Sequence, residues 1–252
     1  MESRYSTTAA GTLSWSTERV RSILTPRRKR GVEILDRRDL EPGLITRSLA
    51  DVVRANALFG GLRSAIDELT EALKEVSRDA TLLDVGTGLG DIPFRAREVA
   101  RQTGIDLTTI GLDSAIELAY ANRPAVTIPV CADALQLPFA DHSIDIVMCS
   151  QVLHHFAGKD ALKVLREMNR VARVRVIVSD LRRSWIAAAG LWLASFPLRF
   201  HAVSRHDGVV SVMRGFTPEE LFDTVRDAIG RQPTVRRRRA FRVTTSWTPA
   251  DR

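Results

Sequence analysis

The stretch Thr81-Leu82-Leu83-Asp84-Val85-Gly86-Thr87-Gly88-Leu89-Gly90-Asp91 organises the reading of the rest of the chain. Residues 81–85 form a short, mostly apolar run of the kind that makes a buried strand. Gly86, Gly88 and Gly90 follow at alternate positions, and a helical pattern opens at Asp91-Ile92-Pro93. Glycine reaches positive φ and lets backbone approach a ligand closely, because no Cβ intervenes. Asp91 is expected to cap the helix, and Pro93 falls in its first turn, where a missing N–H costs nothing. Strand, glycine turn and helix start, in that order, make a crossover that takes a nucleotide-like ligand on its turn.

The spelling narrows the ligand. A dinucleotide turn reads Gly-x-Gly-x-x-Gly, so that a pyrophosphate rests on the helix N-terminus. Here the third glycine comes one residue early, and Asp84 stands two residues before the first. A carboxylate is badly placed beside a pyrophosphate and well placed beside a cation. The pattern Asp-x-Gly-x-Gly-x-Gly resembles motif I of the class I S-adenosylmethionine (SAM) methyltransferases, whose ligand carries an ammonium and a sulfonium. A plain turn in some other Rossmann-like protein is the alternative until the next strands are read.

Composition sets outer limits. At 252 residues the chain suits one domain with an appendage. Cys131 and Cys149 form no zinc or redox spacing and are expected to be reduced core residues of a cytoplasmic protein. The net charge of +7 is unevenly placed, since residues 1–40 hold nine Lys/Arg against five Asp/Glu and residues 231–252 seven against one. The remaining 41–230 carry 21 against 24, so the body lacks the basic field that nucleic-acid enzymes usually show.

The division expected from texture is threefold. Residues 1–39 read as a basic, partly disordered tail ending in Arg27-Arg28-Lys29-Arg30, whose ordinary reading is a solvated run. Residues 40–78 read as a helical cap: Leu44, Ile45, Leu49, Val52, Val53 and Leu58 recur at helical spacing, Gly60-Gly61 breaks the run, and Leu62, Ile66, Leu69 and Leu73 continue a second helix with its acids outward. Arg47, Asn56 and Arg63 are the polar residues there that could face a pocket, most of them expected to be exposed. Residues 79–252 form the SAM-binding domain implied by the resemblance, with a lid insertion at about 182–215.

Within that domain, residues 107–112 read as the second strand, closed by Asp113. An acid there suits a ribose, whose two adjacent hydroxyls one carboxylate can accept from; the ordinary alternative is an N-cap for a helix over 114–122. A third strand over 127–130 precedes Cys131-Ala132-Asp133-Ala134. Then come Leu137-Pro138-Phe139-Ala140-Asp141-His142-Ser143-Ile144-Asp145 and a fourth strand over 146–149. This segment resembles the UbiE-like branch of the class I methyltransferases, and the resemblance covers about 81–179. It implies that Asp133 accepts from the adenine amino group while the backbone near Ala134 meets the ring. The cofactor-binding set is then Asp84, Gly86, Thr87, Gly88, Gly90, Asp113, Ser114, Asp133, Ala134 and Ser150, with SAM as cofactor and no metal.

Ser150-Gln151-Val152-Leu153-His154-His155-Phe156 should border the reactive methyl, beyond the carboxyl end of the fourth strand. Adjacent histidines look like a metal pair, but neighbours on a strand or helix point apart, which argues against bidentate binding. A helix over 159–172 and a fifth strand over 174–178 lead to Ser179-Asp180 at the ligand side. Residues 184–198 carry no charge and are too short for a membrane span, so they read as an apolar lid or a membrane-resting segment. Arg205-His206-Asp207-Gly208 reads as a polar turn. Thr217-Pro218-Glu219-Glu220 is a capping box, its helix ending before Gly230. Residues 233–236 and 241–247 suit a closing antiparallel pair, with Arg236–Arg239 decorating its solvent side.

These readings combine into a Rossmann-like seven-stranded, mostly parallel α/β sheet with helices on both faces and an N-terminal helical cap. The expected activity is SAM-dependent methylation of a small hydrophobic or aromatic acceptor, first of all O-methylation of a phenolic or polyketide-type secondary metabolite. His154, His155 and His206 are the candidate bases. The rivals are C-methylation of a prenylated quinone and a non-catalytic SAM-binding accessory role. Nucleic acid is disfavoured as a partner, peripheral membrane contact stays open, and the oligomeric state is not legible.

Overall fold

The computed structural model describes residues 25–37 and 40–249; the rest of the basic tail reading, residues 1–24, lies outside the described residues. Seven strands form one sheet: β1 (Asp79–Val85), β2 (Asp106–Asp113), β3 (Ile128–Cys131), β4 (Ile144–Ser150), β5 (Ala172–Leu181), β6 (Thr234–Arg238) and β7 (Arg242–Trp247). Their order is β3-β2-β1-β4-β5-β7-β6. β1 to β5 run parallel, and β7 is antiparallel to both β5 and β6. The chain leaves β1 outward to β2 and returns on its other side as β4. That reversal opens a crevice above the carboxyl ends of β1 and β4.

The helices are α1 (Pro42–Leu58), α2 (Gly61–Ala72), α3 (Asp91–Gln102), α4 (Ile116–Ala121), α5 (Lys159–Val171), α6 (Trp185–Ala194), α7 (Ala202–Arg214) and α8 (Pro218–Ile229). Strand alternation sorts the apolar side chains onto two faces. Leu83, Val85, Val147 and Cys149 point to one layer, where Val164, Leu165 and Met168 of α5 and Leu221 and Val225 of α8 cover them. Leu82, Ile146, Met148 and Ile177 point to the other, under Ala65 and Leu69 of α2 and Ile92, Ala96 and Ala100 of α3. Both faces are covered, as a parallel sheet requires. Of the two N-terminal helices, α2 is part of this sandwich, while α1 reaches over the carboxyl edge.

Local details differ from the sequence expectations for identifiable reasons. The N-cap of α3 is Gly90, at φ 80, and Asp91 is its first helical residue. α4 begins at Ile116 after Ala115, whose N–H donates to Asp113 Oδ1, while Asp113 Oδ2 accepts from Gly88 N. The polar Arg205–Gly208 run is no turn: it continues through the middle of α7, which Phe200 and the α6 side chains hold in place. Cys131 is exposed at the end of β3, and only Cys149 is buried; both are free thiols. The capping box stands as read, with Thr217 accepting from Glu220 N and Gly230 in the left-handed region.

Charges are used more heavily than the sequence suggests. Glu68 of α2 is buried, contrary to an outward reading of that helix's acids. It accepts from Arg238 Nη2 (2.6 Å), Arg236 Nη1 (3.0 Å), Thr244 Oγ1 (2.6 Å) and Ser246 Oγ (3.3 Å). The arginines of β6 are therefore ion-paired, Arg237 too, to Glu219. Arg28 of the basic run is not freely solvated either: its guanidinium lies 4.1 Å over Phe216 and Nε donates to Arg214 O. Asp145, at the end of the Leu137–Asp145 segment, accepts from Thr81 N and Oγ1 and from Arg173.

Burial alone would push the Glu68 carboxyl up, but Thr244 and the two guanidiniums outweigh it and hold the group below its ordinary value of 4.5. A depressed carboxyl stabilises the fold fully above its unfolded value, and that contribution is lost as pH falls through the folded value. Glu68→Gln is expected to cost about 3 kcal/mol, because it strands buried partners. The measurement is a lowered urea midpoint with unchanged slope at pH 7, and a flatter loss of stability below about pH 4.5 than the parent shows.

Candidate functional site

The glycine turn closes by Gly86 N and Thr87 N donating to Leu112 O at 2.8 and 3.0 Å. A Cβ on Gly86 would lie 2.4 Å from the Val152 side chain, and one on Gly90 would lie 2.8 Å from Ala125. These two glycines are close-packing positions. A Cβ on Gly88 would meet nothing within 4 Å, so the turn is open at its crest, where a ligand would lie. Asp113 steadies the crest, its Oδ2 accepting from Gly88 N at 3.1 Å and its Oδ1 from Ala115 N at 3.3 Å. Asp84 is buried beneath, accepting from Thr87 Oγ1 at 2.9 Å. Burial raises the Asp84 carboxyl to about 8; the Thr87 bond opposes this, and the charges of Asp91 and Asp113 add to it. Asp133 is exposed past β3, its Oδ1 accepting from Leu135 N at 2.9 Å. Ser114 is exposed, Ala134 half-buried, and Ser150 ends β4.

Four buried polar atoms at this edge have no hydrogen-bond partner among the described residues: Asp91 Oδ2, Asn122 Oδ1, Ser150 Oγ and His154 Nε2. Each such atom costs about 1–3 kcal/mol if it stays unsatisfied. A polar, cationic ligand lying across the strand ends would offset such costs and favour ionised Asp84. The donor set fits SAM in this sense.

His154 and His155 occupy a single 3₁₀ turn after β4, and their rings are 4.4 Å apart, not pointing away from each other. His154 is buried, with Nδ1 2.7 Å from Asp180 Oδ1 and Nε2 3.8 Å from Glu33 Oε1. His155 lies 3.1 Å from Asp36 by Nδ1 and 3.9 Å from Glu33 by Nε2. Glu33, His154 and His155 have a spacing able to hold a metal ion. Arg214, however, already sits on Glu33 at 3.0 Å and on Asp36 at 2.9 Å, supplying that positive charge. Burial opposes the His155 imidazolium, but its hydrogen bond to Asp36 and the charge of Glu33 raise its pKa above the ordinary range. Asp36 falls to about 2 against the pull of burial, owing to His155 and Arg214. Asp180, fully buried, is lowered by His154 despite desolvation. His206 stands apart: it is half-exposed, bonded to Asp207, and about two helical turns from Arg214.

Beside this cluster opens a cavity of about 380 Å³, walled mainly by apolar groups of α1, α6 and α7 with Leu181 and Phe241. Glu33 borders it, and Asn56, Gln151 and Arg242 form its polar floor. Arg242 Nη1 donates to Gln151 Oε1 at 2.9 Å, Gln151 Nε2 donates to Asn56 Oδ1, and Asn56 bonds Asp91 of α3. Gly61 makes room: a Cβ there would lie 2.8 Å from Asn56 Oδ1 and 3.2 Å from Arg242 Nη2. Gln151 holds φ 56, a left-handed conformation unusual for a side chain of its size, as expected where a site dictates backbone. Arg47 and Arg63 are exposed, so Asn56 alone of the three cap residues reaches the pocket. Glu33, Asp180, Arg214 and Arg242 were not legible as site residues. Asp180 carried one signal, an acid ending a strand on the ligand side; Glu33 sat in a stretch that read as tail.

Residues 83–178 match a family model described as a methyltransferase domain. Over 118 residues the chain is 35% identical to the demethylmenaquinone methyltransferase of Roseiflexus sp., covering 44% of this chain and 47% of that protein. Over 149 residues it is 34% identical to the demethylmenaquinone methyltransferase of Deinococcus radiodurans, covering 56% and 59%. The chain thus spans about half the length of the curated relatives it matches. A SAM-dependent methyltransferase from Aquifex aeolicus shares the fold at a TM-score of 0.56 and 16% identity, over 84% of this chain and 100% of that one. Residues 83–178 therefore match a methyltransferase domain, and the fold around them is that of the class I SAM-dependent methyltransferases. Over the matched span the chain is similar to UbiE-type relatives, and a domain of this kind takes SAM as its cofactor.

Asp84 gives the cofactor site a pH signature. At pH 7 a carboxyl with a pKa of about 8 is largely protonated, and a bound cation drives it to ionise. SAM binding at pH 7 is therefore expected to release a proton, and affinity to rise as pH approaches 8. Calorimetry in two buffers of different ionisation enthalpy measures the release. Asp84→Asn should abolish most of it.

Proposed function

We propose that the protein transfers the methyl group of SAM to a small hydrophobic or aromatic acceptor in the cavity, first of all to a phenolic oxygen of a secondary metabolite. The observation that carries this reading is the apolar cavity itself, whose polar floor runs through Gln151 and Asn56 to Asp91 at the head of the glycine-turn helix. When bound, SAM supplies an electrophilic methyl on a sulfonium. Asp84, Gly86, Thr87, Gly88, Gly90 and Ser150 hold its methionyl part, Asp113 and Ser114 its ribose, and Asp133 with Ala134 its adenine. Bound between α1, α6 and α7, the acceptor is oriented and kept from water.

His154 is the best base of the three candidates. Asp180 holds Nδ1 and leaves Nε2 without a partner, 3.8 Å from Glu33, which borders the cavity. A phenolic proton leaves by way of Glu33 toward that nitrogen. His155, its pKa raised by Asp36 and Glu33 against the pull of burial, is already engaged by those carboxylates and balances their charge instead. The names of the relatives favour a second reaction, C-methylation of a prenylated quinone, which would use the same cofactor site. A cytoplasmic setting accords with the free, exposed Cys131.

Purified protein with methyl-labelled SAM and an extract of the native host tests the reading. Label in organic-soluble small molecules is expected, and His154→Gln should slow transfer about 100-fold while SAM affinity stays within twofold. Label in RNA would overturn the acceptor class, and confirmed SAM binding with no label anywhere would favour an accessory role.

The lid also suggests how an apolar acceptor arrives. Trp185, Ile186, Trp192, Leu193 and Phe196 of α6 and its extension are exposed, while Ala187, Gly190 and Leu191 of the same helix line the cavity. Exposed Arg199 follows α6, Lys29 of the exposed Arg27, Lys29 and Arg30 lies 5.6 Å over the Trp185 ring, and residues 182–206 contain no acid. No helix among the described residues is long and apolar enough to cross a membrane. The combination suits a helix resting in a bilayer interface. Co-sedimentation with phosphatidylglycerol vesicles is expected to exceed that with phosphatidylcholine, and Trp192→Glu with Leu193→Glu should remove it.

A further inference from the structure

Among the described residues Arg242 is a cation buried without an ion-pair partner. The residue is 4% exposed, and its side-chain hydrogen bonds go only to neutral groups, the Phe59 carbonyl at 3.3 Å and Gln151 Oε1 at 2.9 Å. Other arginines of this fold with comparable burial are paired: Arg183 with Glu220 at 2.7 Å, and Arg214 with Glu33 and Asp36. Asp180 is the acid that acts on Arg242 electrostatically, and its carboxylate is already committed to His154. Burial lowers the Arg242 guanidinium to about 10, which still leaves it charged at neutral pH. A buried charge is stable in a fold when an opposite charge or a full set of hydrogen bonds offsets its desolvation. Arg242 has neither, and it borders the cavity.

We infer that Arg242 is the anion-binding residue of the acceptor cavity, so that the acceptor is an apolar molecule carrying an acidic oxygen, a phenolate or carboxylate. This rests on the reading of the cavity as the acceptor site. A guanidinium presents its N–H groups in a planar fork suited to such oxygens. Two of its nitrogens are taken by Phe59 and Gln151, which fixes the plane, and Nη2 is left on the side where Gly61 lacks a side chain. The apolar walls admit a ring system, and the floor selects for its charge. Gln151 then serves as a positioning residue, clamped between Asn56 and Arg242 in its left-handed conformation.

The carboxylate of SAM's methionyl part offers the same chemistry, and the test separates the two sources. The probes are 2-naphthoate and its neutral counterpart 2-naphthamide, titrated calorimetrically into full-length protein with and without saturating SAM. Wild type is expected to bind 2-naphthoate at least about tenfold more tightly than 2-naphthamide. In Arg242→Gln that preference should vanish, with 2-naphthamide affinity within twofold of wild type and SAM affinity unchanged; Arg242→Lys should restore part of the preference. Equal wild-type affinity for the two probes overturns the assignment and leaves the cavity reading standing, and it needs no variant to fold. A loss of SAM affinity in Arg242→Gln with the probe preference intact overturns it in favour of the cofactor's carboxylate. Failure of wild type to bind either probe removes the cavity reading itself, and the assignment with it.

Discussion

Buried carboxylates hold the roof of this molecule where no continuous apolar core reaches it. The sheet sandwich is closed by the alternation of Leu, Ile and Val on β1, β4 and β5. Above its carboxyl edge, a small apolar cluster of Leu181, Ala188, Val212 and Met213 joins the end of β5 to α6 and α7, and includes no residue of α1 or of residues 25–37. Directional, charge-assisted bonds fix their relative places. Asp51 of α1 accepts from His201 N at 2.7 Å and Ser204 Oγ at 2.9 Å. Asp207 of α7 accepts from Ile34 N and Leu35 N, both at 2.8 Å, and Glu33 accepts from Ser211 Oγ at 2.8 Å. Each bond ties one wall of the cavity to another. An apolar contact could slide, whereas an acid accepting two defined donors cannot do so without leaving a buried charge unpaired.

This division of labour explains which features can be read in the sequence. The strand–glycine–helix unit is local: its apolar run, positive-φ glycines and helix start lie within a dozen residues, and periodicity reports them. The capping box before α8 and the Gly60 break are local in the same way. Helix α7 is not legible because Arg205-His206-Asp207-Gly208 looks like a turn when its partners are unknown. Asp207 faces inward to the 25–37 segment, and a Cβ on Gly208 would lie 2.8 Å from Leu191, so both residues serve helix packing. Glu68 read as a surface acid because its counter-charges, Arg236 and Arg238, lie some 170 residues further along the chain. Glu33 and Arg242 share that property. A single charged residue announces nothing about burial, and only the fold brings its environment together.

The resulting field has a direction. Asp84, Asp91 and Asp113 gather at the glycine turn, and burial raises the carboxyl pKa of each, so this end of the site gains from a cation. Arg242 stands at the cavity floor, where an anion gains. On the proposed reading, transfer of a methyl group from a sulfonium to an anionic oxygen would bring these two charges together and cancel them. Interactions that hold both ions too firmly would stabilise the ground state more than the transition state and slow the step. Here each charged group is already partly engaged by the protein. Asp84 accepts from Thr87, Asp113 from Gly88 and Ala115, and Arg242 donates to Phe59 and Gln151. Such groups orient a charged partner without enclosing it, which is the arrangement a charge-cancelling reaction requires of its binding site.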